Sequence, residues 1–373
     1  MRKESLSFLK ELLTTPSPSG YESPGQRVWC KYARQFADEV RTDSYGNAVA
    51  VLNPKGDPRI MLDGHIDELG MMIKHIDDKG FIYFQRIGGI DPAVIRTKRV
   101  NIYAAGGVVR GVIGATAIHL QERGKEAKAP KMHECFIDIG AKDGKDAKSR
   151  VAVGDPITFV DDFEMLTEHV AVARAFDNRV GSWAAIEALR IASQSPHKPK
   201  CAIYACSSVQ EEVGGAGAWM NAENIKPHIA VVIDVTHATD TPGIDPKEHG
   251  EVKLSAGPTL TVGREHHPVL VQRIRNVAAK KKIGMQLEAF SLSGGTDAAV
   301  IYTKLGGVPS AVVGIPNRYM HTTVEILDLR DLQQTAEVLA ALCLDLKKGE
   351  RFAVKVGPPM AMLKALPAVT AGI

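Results

Sequence analysis

The chain has 373 residues, with 46 Lys and Arg against 43 Asp and Glu, and its formal net charge is +3. This length allows two domains, and the small net charge does not suggest a protein that binds nucleic acids or anionic membranes. The five cysteines are odd in number and form no C-x-x-C pair, so we interpret them as reduced core residues of a cytoplasmic protein.

The N-terminal segment is predicted to be an amphipathic helix. Its leucines recur at helical spacing with charged residues between them, which differs from the apolar core of a signal peptide. A second helix is predicted from the apolar stripe Val28, Tyr32, Phe36 and Val40. No stretch approaches the roughly 18 apolar residues of a membrane span. We therefore expect no membrane partner.

Short apolar strands that end in ionisable side chains recur along the chain. They are predicted at 48–52, 59–65, 201–209, 229–237 and 308–315. Continuous apolar runs of this length are typical of strands buried on both faces of a sheet. Helical patterns alternate with them, for example at 180–193 and 329–348, so the sequence predicts an α/β domain.

Residues 69–163 have a different pattern, with short alternating segments broken by turns and no long helical stripe. We interpret them as a small all-β barrel or sandwich inserted into the α/β domain, with 121–131 as an exposed loop. Residues 1–68 and 164–353 then form one discontinuous α/β domain. Residues 354–373 contain two adjacent prolines and no periodicity, and we interpret them as a tail.

Six ionisable residues fall just after predicted strands or at strand-to-helix turns. They are His65, Asp177, Glu211, Glu212, Asp234 and His321. Because ligands bind beyond the carboxyl ends of the strands in open α/β sheets, we expect these side chains to meet there. Imidazole and carboxylate ligands without thiolate suit zinc, cobalt or manganese. Five ligands and one further acid predict two ions roughly 3.5 to 4 Å apart, bridged by a carboxylate and a water molecule, with the remaining glutamate as a base.

Single members of this set have simpler explanations. Asp177 and Asp297 lie at predicted helix starts, where Asp is a common N-cap, and a lone histidine at a strand end is often only hydrogen-bonded. Glu211 and Glu212 are harder to explain, because two carboxylates beside a buried strand repel each other unless a cation compensates. The joint occurrence therefore favours a metal site.

The sequence gives less support for other kinds of functional site. His266 and His267 are predicted on a strand with their rings on opposite faces, so we interpret them as structural. The glycine run at 214–217 does not complete G-x-G-x-x-G, because Met220 stands at the third glycine position. The sequence also contains no G-x-S-x-G motif. A dinucleotide site and a serine nucleophile are not predicted.

Six motifs follow one another along the chain: HID at 65–67, AFDNRVG at 175–181, QEEVG at 210–214, DVT at 234–236, GGTDA at 294–298 and YMH at 319–321. In this order they closely resemble metallopeptidase family forty-two, whose members include cytosolic glutamyl, leucyl and deblocking aminopeptidases. The resemblance extends from the first helix to about residue 352. It implies a mixed central sheet flanked by helices, as in zinc aminopeptidases, with the inserted β domain used for oligomerisation and access.

The resemblance also implies roles for individual residues. His65 and Asp234 would hold one ion, Glu212 and His321 would hold the other, and Asp177 would bridge the two. Glu211 would be the general base. Asp67 would orient His65, as a ligand histidine needs a fixed tautomer. The substrate pocket would be lined by Gly294, Gly295, Thr296 and Asp297.

The implied function is that of a metallo-aminopeptidase, which removes N-terminal residues from peptides. It would use two divalent ions per subunit, with zinc or cobalt as the expected metal and manganese as an alternative. The implied partner is a second copy of the chain, in a dimer that could build a tetrahedral dodecamer. Two rival functions remain open: glycoside hydrolysis, since some relatives are labelled endoglucanase, and a non-catalytic metal-binding assembly scaffold. Glycosidases need two carboxyl groups without metal, and a scaffold would tolerate an incomplete site.

Overall fold

A computed structural model describes residues 1–120, 129–160, 162–292 and 294–356. The strands in these residues are β1 (Glu39–Thr42), β2 (Ala48–Leu52), β3 (Arg59–His65), β4 (Gly70–Ile76), β5 (Ile82–Ile87), β6 (Arg99–Ala104), β7 (Gly107–Ile113), β8 (Ile137–Asp138), β9 (Pro156–Phe159), β10 (Glu164–Met165), β11 (Val170–Ala173), β12 (Ala202–Ser208), β13 (Ile229–His237), β14 (Thr259–Gly263), β15 (Gln286–Phe290), β16 (Ser310–Arg318) and β17 (Glu325–Asp328).

The helices in the same residues are α1 (Lys3–Thr14), α2 (Ser23–Ala33), α3 (Pro92–Ile95), α4 (Gly144–Arg150), α5 (Phe176–Ser193), α6 (Ala216–Ile225), α7 (Pro246–His249), α8 (Pro268–Lys280), α9 (Ala298–Ile301) and α10 (Leu329–Asp345). Short 3-10 turns occur at Ile118–Leu120, Met132–Glu134 and Lys304–Gly306. None of the helices in the described part of the chain combines the length and apolar character needed to span a bilayer.

The α/β part is built on an 11-stranded mixed sheet in the order β1-β2-β12-β3-β13-β16-β17-β11-β10; off this path, β14 pairs with β16, and β15 pairs with β14. Its four central strands, β12, β3, β13 and β16, run parallel to one another. Helices α1, α2, α5, α8 and α10 cover one face with a large apolar core, and α6 and α9 cover the other. The carboxyl ends of the parallel strands therefore open together at one edge, as the sequence predicts.

The inserted segment forms a closed antiparallel barrel from β4, β5, β8, β7, β6 and β9. The barrel has an apolar core of its own, which includes Met71, Val100 and Ile137. It follows β3 directly and returns the chain to β10, so it is tethered beside the edge where His65 ends its strand. This confirms the predicted α/β fold with a barrel-like insertion; the domain borders at 69 and 163 stay a prediction.

Two glycines bring the start of α5 against the sheet. A Cβ on Gly64 would lie 2.3 Å from the backbone of Gly181, and a Cβ on Gly181 would lie 2.5 Å from the carbonyl oxygen of Ile233. Only residues without a side chain allow this approach. The first turn of α5, which carries Asp177, is thereby held between the ends of β3 and β13.

The second helix is shorter than predicted: α2 ends at Ala33, and Val40 lies in β1. The backbone of β1 bonds to β2 in antiparallel register, and this pairing replaces the additional helical turn that the apolar spacing suggested. The predicted tail from residue 357 onward and most of the loop predicted at 121–131 lie outside the described residues. All five cysteines are free and buried, as expected for core residues.

Candidate active site

His65 is the last residue of β3 and faces three carboxylates from three other elements. Its Nε2 atom lies 3.3 Å from Oδ1 of Asp177, 3.6 Å from Oε2 of Glu211 and 3.9 Å from Oδ1 of Asp234. The strand register explains why His65 and Asp234 are close. Asp63 of β3 pairs with Val232 of the parallel strand β13, and His65 and Asp234 each follow two positions later. The sheet edge thus gathers these predicted residues around one imidazole.

His321 approaches the same cluster from the opposite side. Its Nε2 atom lies 3.3 Å from Oδ2 of Asp177 and 3.7 Å from Oε2 of Glu212. Its Nδ1 atom is 3.1 Å from the carbonyl oxygen of Gly89, which belongs to the loop after β5 of the barrel. Asp177 therefore stands between two imidazoles, with one carboxylate oxygen directed to each.

The donor atoms fit divalent cations. Two groups have one ligand atom from each member within 4.8 Å of the others: His65 with Glu211 and Asp234, and His65 with Asp177 and Glu212. One oxygen of Glu212 is buried without a hydrogen-bond partner. Nitrogen and oxygen donors at this spacing are those that zinc, cobalt and manganese accept.

The electrostatics of the cluster also indicate a cation site. Burial, and then the charge of Asp177, raise the pKa values of Glu212 and Asp234 well above their ordinary range. Burial likewise raises the pKa of Asp177, but the imidazoles of His321 and His65 outweigh this and hold it below its usual range. Crowded buried carboxylates of this kind are stabilised as anions by positive charge.

Asp67 links the two halves of the cluster. Its Oδ1 lies 3.3 Å from Nδ1 of His65, which leaves Nε2 of the ring free to face the carboxylates. The same carboxylate accepts the backbone N–H groups of Glu211 and Glu212 at 3.1 and 3.2 Å and the hydroxyl of Ser19 at 2.7 Å. One side chain therefore orients the imidazole and fixes the turn that carries both glutamates.

Two residues that the sequence did not single out support the cluster from behind. Glu325 accepts the backbone N–H of Asp177 with Oε2 at 3.0 Å and that of His321 with Oε1 at 3.2 Å, so it fixes the backbone on both sides of the cluster. Glu22 accepts the N–H of Gln210 with Oε1 at 3.2 Å, next to the paired glutamates. Neither residue lies in a recognisable motif, and no local signal would have found them.

A cavity of about 590 Å³ opens in front of the cluster. Of the predicted pocket residues, Gly294, Gly295 and Thr296 line it. Asp297 does not line it: this residue is buried beside Asp63, and burial followed by the Asp63 carboxyl group raises its pKa well above its ordinary range. Its side chain makes no N-cap hydrogen bond at the start of α9, so the capping explanation for Asp297 fails.

The prediction that His266 lies on a strand is wrong. β14 ends at Gly263, so His266 lies in the connection to α8 and not on a strand. Its ring lines the cavity, and both ring nitrogens are buried without a hydrogen-bond partner. The chain turns after Gly263, where the N–H of His266 donates to the carbonyl oxygen of Gly263 at 3.3 Å and the N–H of His267 donates to that of Ser310 at 2.7 Å. Strand periodicity therefore did not apply there.

The overall fold is that of the TET aminopeptidases. The TET aminopeptidase of a marine sediment Thaumarchaeota archaeon is 32% identical in sequence, with a TM-score of 0.88 over 92% of this chain and 96% of that chain. The TET1 peptidase of Pyrococcus horikoshii, which can assemble into a tetrahedron or a large octahedral shell, is 29% identical, with a TM-score of 0.82 over 92% of this chain and 100% of that chain.

The chain belongs to the M42 glutamyl aminopeptidase family, whose sequence pattern matches residues 46–338. A lysyl aminopeptidase of Pyrococcus furiosus is 32% identical over 345 residues, which cover 91% of this chain and 97% of that protein. The family resemblance expected from the six motifs is confirmed. The protein is a peptidase of the aminopeptidase type, in a family that depends on metal.

Proposed function

We propose that this aminopeptidase works with two divalent metal ions and one glutamate base. His65 and Asp234 would hold one ion, Glu212 and His321 would hold the other, and Asp177 would bridge them. The observation that supports this division best is the placement of Asp177, with one carboxylate oxygen 3.3 Å from each imidazole. A carboxylate shared in this way is suited to two ions close together.

Glu211 is the proposed general base. When bound, the ions would act as Lewis acids and lower the pKa of water at the site. The Oε2 atom of Glu211 lies 3.6 Å from Nε2 of His65, at the side of the cluster next to Asp234. Burial raises the pKa of Glu211 to about 7, which suits a group that accepts a proton near neutral pH and returns it to the leaving amine.

Asp67 is the proposed positioning residue, because it contacts His65 and the backbone of both glutamates. Gly294, Gly295 and Thr296 are proposed to contact the substrate from the wall of the cavity. Peptides would enter with the free α-amine and the first carbonyl group at the cluster.

Self-association is also part of the proposal. The relative from Pyrococcus horikoshii assembles into closed shells, and the barrel of this chain exposes Val108 and Val112 on β7. We infer that the barrel contributes to contacts between copies, in a dimer or a larger particle. Light scattering after size-exclusion chromatography should give a mass above that of one chain; a monomer at micromolar concentration would contradict the inference.

The metal requirement is tested with a panel of aminoacyl anilides. Activity should disappear after chelation and return when zinc, cobalt or manganese is added back singly, with two ions per chain at full activity. Cleavage of a β-glucan by the chelated protein, with no anilide hydrolysis by the metal-loaded protein, would support glycoside hydrolysis instead.

The proposed roles of Glu211 as general base and Glu212 as metal ligand are tested with a matched pair of variants. Glu211→Gln should abolish turnover while both ions stay bound, because the base touches water and does not hold an ion. Glu212→Gln should lose metal as well as activity. Loss of metal from the Glu211→Gln protein, or retained activity, would overturn the assignment.

A further inference from the structure

The cavity contains two carboxylates that the proposed metal site does not use. Glu265 follows β14, and Glu288 lies on β15; both line the cavity in front of the cluster. Among the described residues that line this cavity there is no Lys or Arg. Two divalent ions would offset the charge of the carboxylates in the cluster, so Glu265 and Glu288 would leave the cavity negatively charged.

Glu288 lies close to the metal site through its contact with β13. Its Oε1 accepts the hydroxyl of Thr236 at 2.6 Å, and Thr236 is two residues beyond Asp234 on the same strand. Residues two apart on a strand point to the same face, about 6.6 Å from each other. The Glu288 carboxylate therefore lies within reach of a long side chain on a residue bound at Asp234.

Glu265 contributes a second carboxylate, which is more buried than that of Glu288. Its Oε1 accepts the backbone N–H of Gly294 at 2.8 Å, while Oε2 is buried without a hydrogen-bond partner. Neither Glu265 nor Glu288 forms an ion pair with a described residue. The neighbouring His266 does not compensate, because burial lowers the pKa of its imidazole. A buried carboxylate oxygen without a partner is costly, and a cation beside it reduces that cost.

The same cavity has apolar walls that suit a methylene chain. Phe290 of β15 is 40% exposed there, and Met320 and Val312 also line the cavity. Gly314 also lines the cavity, and its lack of a side chain lets Thr259 and Thr236 pack against it, because a Cβ at this position would lie 2.2 Å from the hydroxyl oxygen of Thr259 and 3.0 Å from the Thr236 methyl carbon. Long cationic side chains place apolar stems on such surfaces and direct the charge to a polar end.

We propose that the cavity selects peptides whose N-terminal residue has a cationic side chain, Lys or Arg, with Glu288 as the residue that binds the cation and Glu265 as a second source of negative charge. This inference rests on the proposed aminopeptidase site, because it places the α-amine at the metal ligands. An acidic N-terminal side chain would find no Lys or Arg in the described lining and would be repelled by both carboxylates.

The test compares lysyl, norleucyl and glutamyl anilides with the metal-loaded full chain. Norleucine has the methylene stem of lysine without the ammonium group, so the ratio of their kcat/KM values isolates the charge. A charged hydrogen bond of ordinary strength predicts a lysyl-to-norleucyl ratio of about 10 to 100, with glutamyl anilide slower than both. Glu288→Gln should lower that ratio about tenfold, and Glu265→Gln should lower it less.

Glu39→Gln is the matched control, because it removes the same charge from an exposed position on β1; its ratio should equal that of the unaltered chain. A ratio near one in the unaltered chain, with norleucyl anilide still cleaved, would overturn this inference and leave the aminopeptidase site intact. Failure to cleave any of the anilides would overturn the proposed function and this inference with it. If a glutamate variant does not fold, the ratio for the unaltered chain still decides the question.

Discussion

Oδ1 of Asp177 lies 3.3 Å from Nε2 of His65, and this contact joins two elements that are far apart in the chain. His65 ends β3, whereas Asp177 begins α5 after the whole barrel has intervened. The contact exists because Gly64 and Gly181 let α5 approach the sheet. The geometry of the proposed metal site thus depends on backbone packing as much as on the ligands themselves.

Asp177→Asn should remove metal from both proposed positions, since one carboxylate faces both imidazoles. We expect binding of the two ions to weaken more than the roughly 10- to 100-fold that is typical when a residue supporting a ligand is lost. Elemental analysis after dialysis against micromolar zinc measures the content per chain. Asp162→Asn, at an exposed position, is the control. Two ions retained in Asp177→Asn would exclude the bridging role.

Asp67→Asn should weaken metal binding without removing a ligand. The amide can no longer stabilise the Nδ1–H tautomer of His65 as an anion does, and it accepts the backbone N–H groups of Glu211 and Glu212 less well. We expect a 10- to 100-fold rise in the apparent Kd for metal, with much of the activity recovered at saturating metal. Competition with a chelating dye measures the Kd; an unchanged value would mean that Asp67 does not orient the histidine.

Gly64→Ala should destabilise the fold and the site together. The added methyl group would meet backbone atoms of Gly181 and Ser182 at 2.3 and 2.5 Å, which cannot rotate away. We expect a loss of at least about 1 to 3 kcal/mol in the free energy of unfolding, measured by urea denaturation. Gly106→Ala has open space around the new methyl group and should change the value by less than about 0.5 kcal/mol. Equal stability of the two variants would contradict close packing of α5 on β3.

Glu22→Gln should change how stability depends on pH. Burial raises the pKa of Glu22 from its ordinary 4.5 to about 7. Between these pH values the folded chain binds a proton that the unfolded chain releases, so this residue lowers the free energy of unfolding as the pH rises. Glutamine keeps the acceptor for Gly20 and Gln210 but does not titrate.

The stability of Glu22→Gln relative to the unaltered chain should therefore increase between pH 4.5 and pH 7, by on the order of 3 kcal/mol. Urea denaturation of the chelated proteins at several pH values measures the difference. Parallel pH profiles of the two proteins would show that Glu22 has no raised pKa in the folded state.

The outline of the fold and the ends of its central strands were predictable from local patterns. Apolar runs such as 201–209 and 229–237 are too continuous for a strand with one solvent face, and each is followed by a side chain that needs a polar environment. The change to short alternating segments after residue 68 indicated the barrel. Val40 fits the apolar spacing of the preceding helix only by chance. Hydrogen bonding to β2 places it in β1 instead.

The sequence by itself predicted which ionisable residues follow the ends of the central strands, because the position and length of a strand follow from local periodicity. Only the tertiary structure placed Gly89 of the barrel against His321, Glu325 between the backbones of Asp177 and His321, and Glu288 beside Thr236. These contacts join segments that are distant in the chain, through strand register and barrel docking. The free energy that stabilises these contacts comes from packing across the whole domain, so a short stretch of sequence does not predict them.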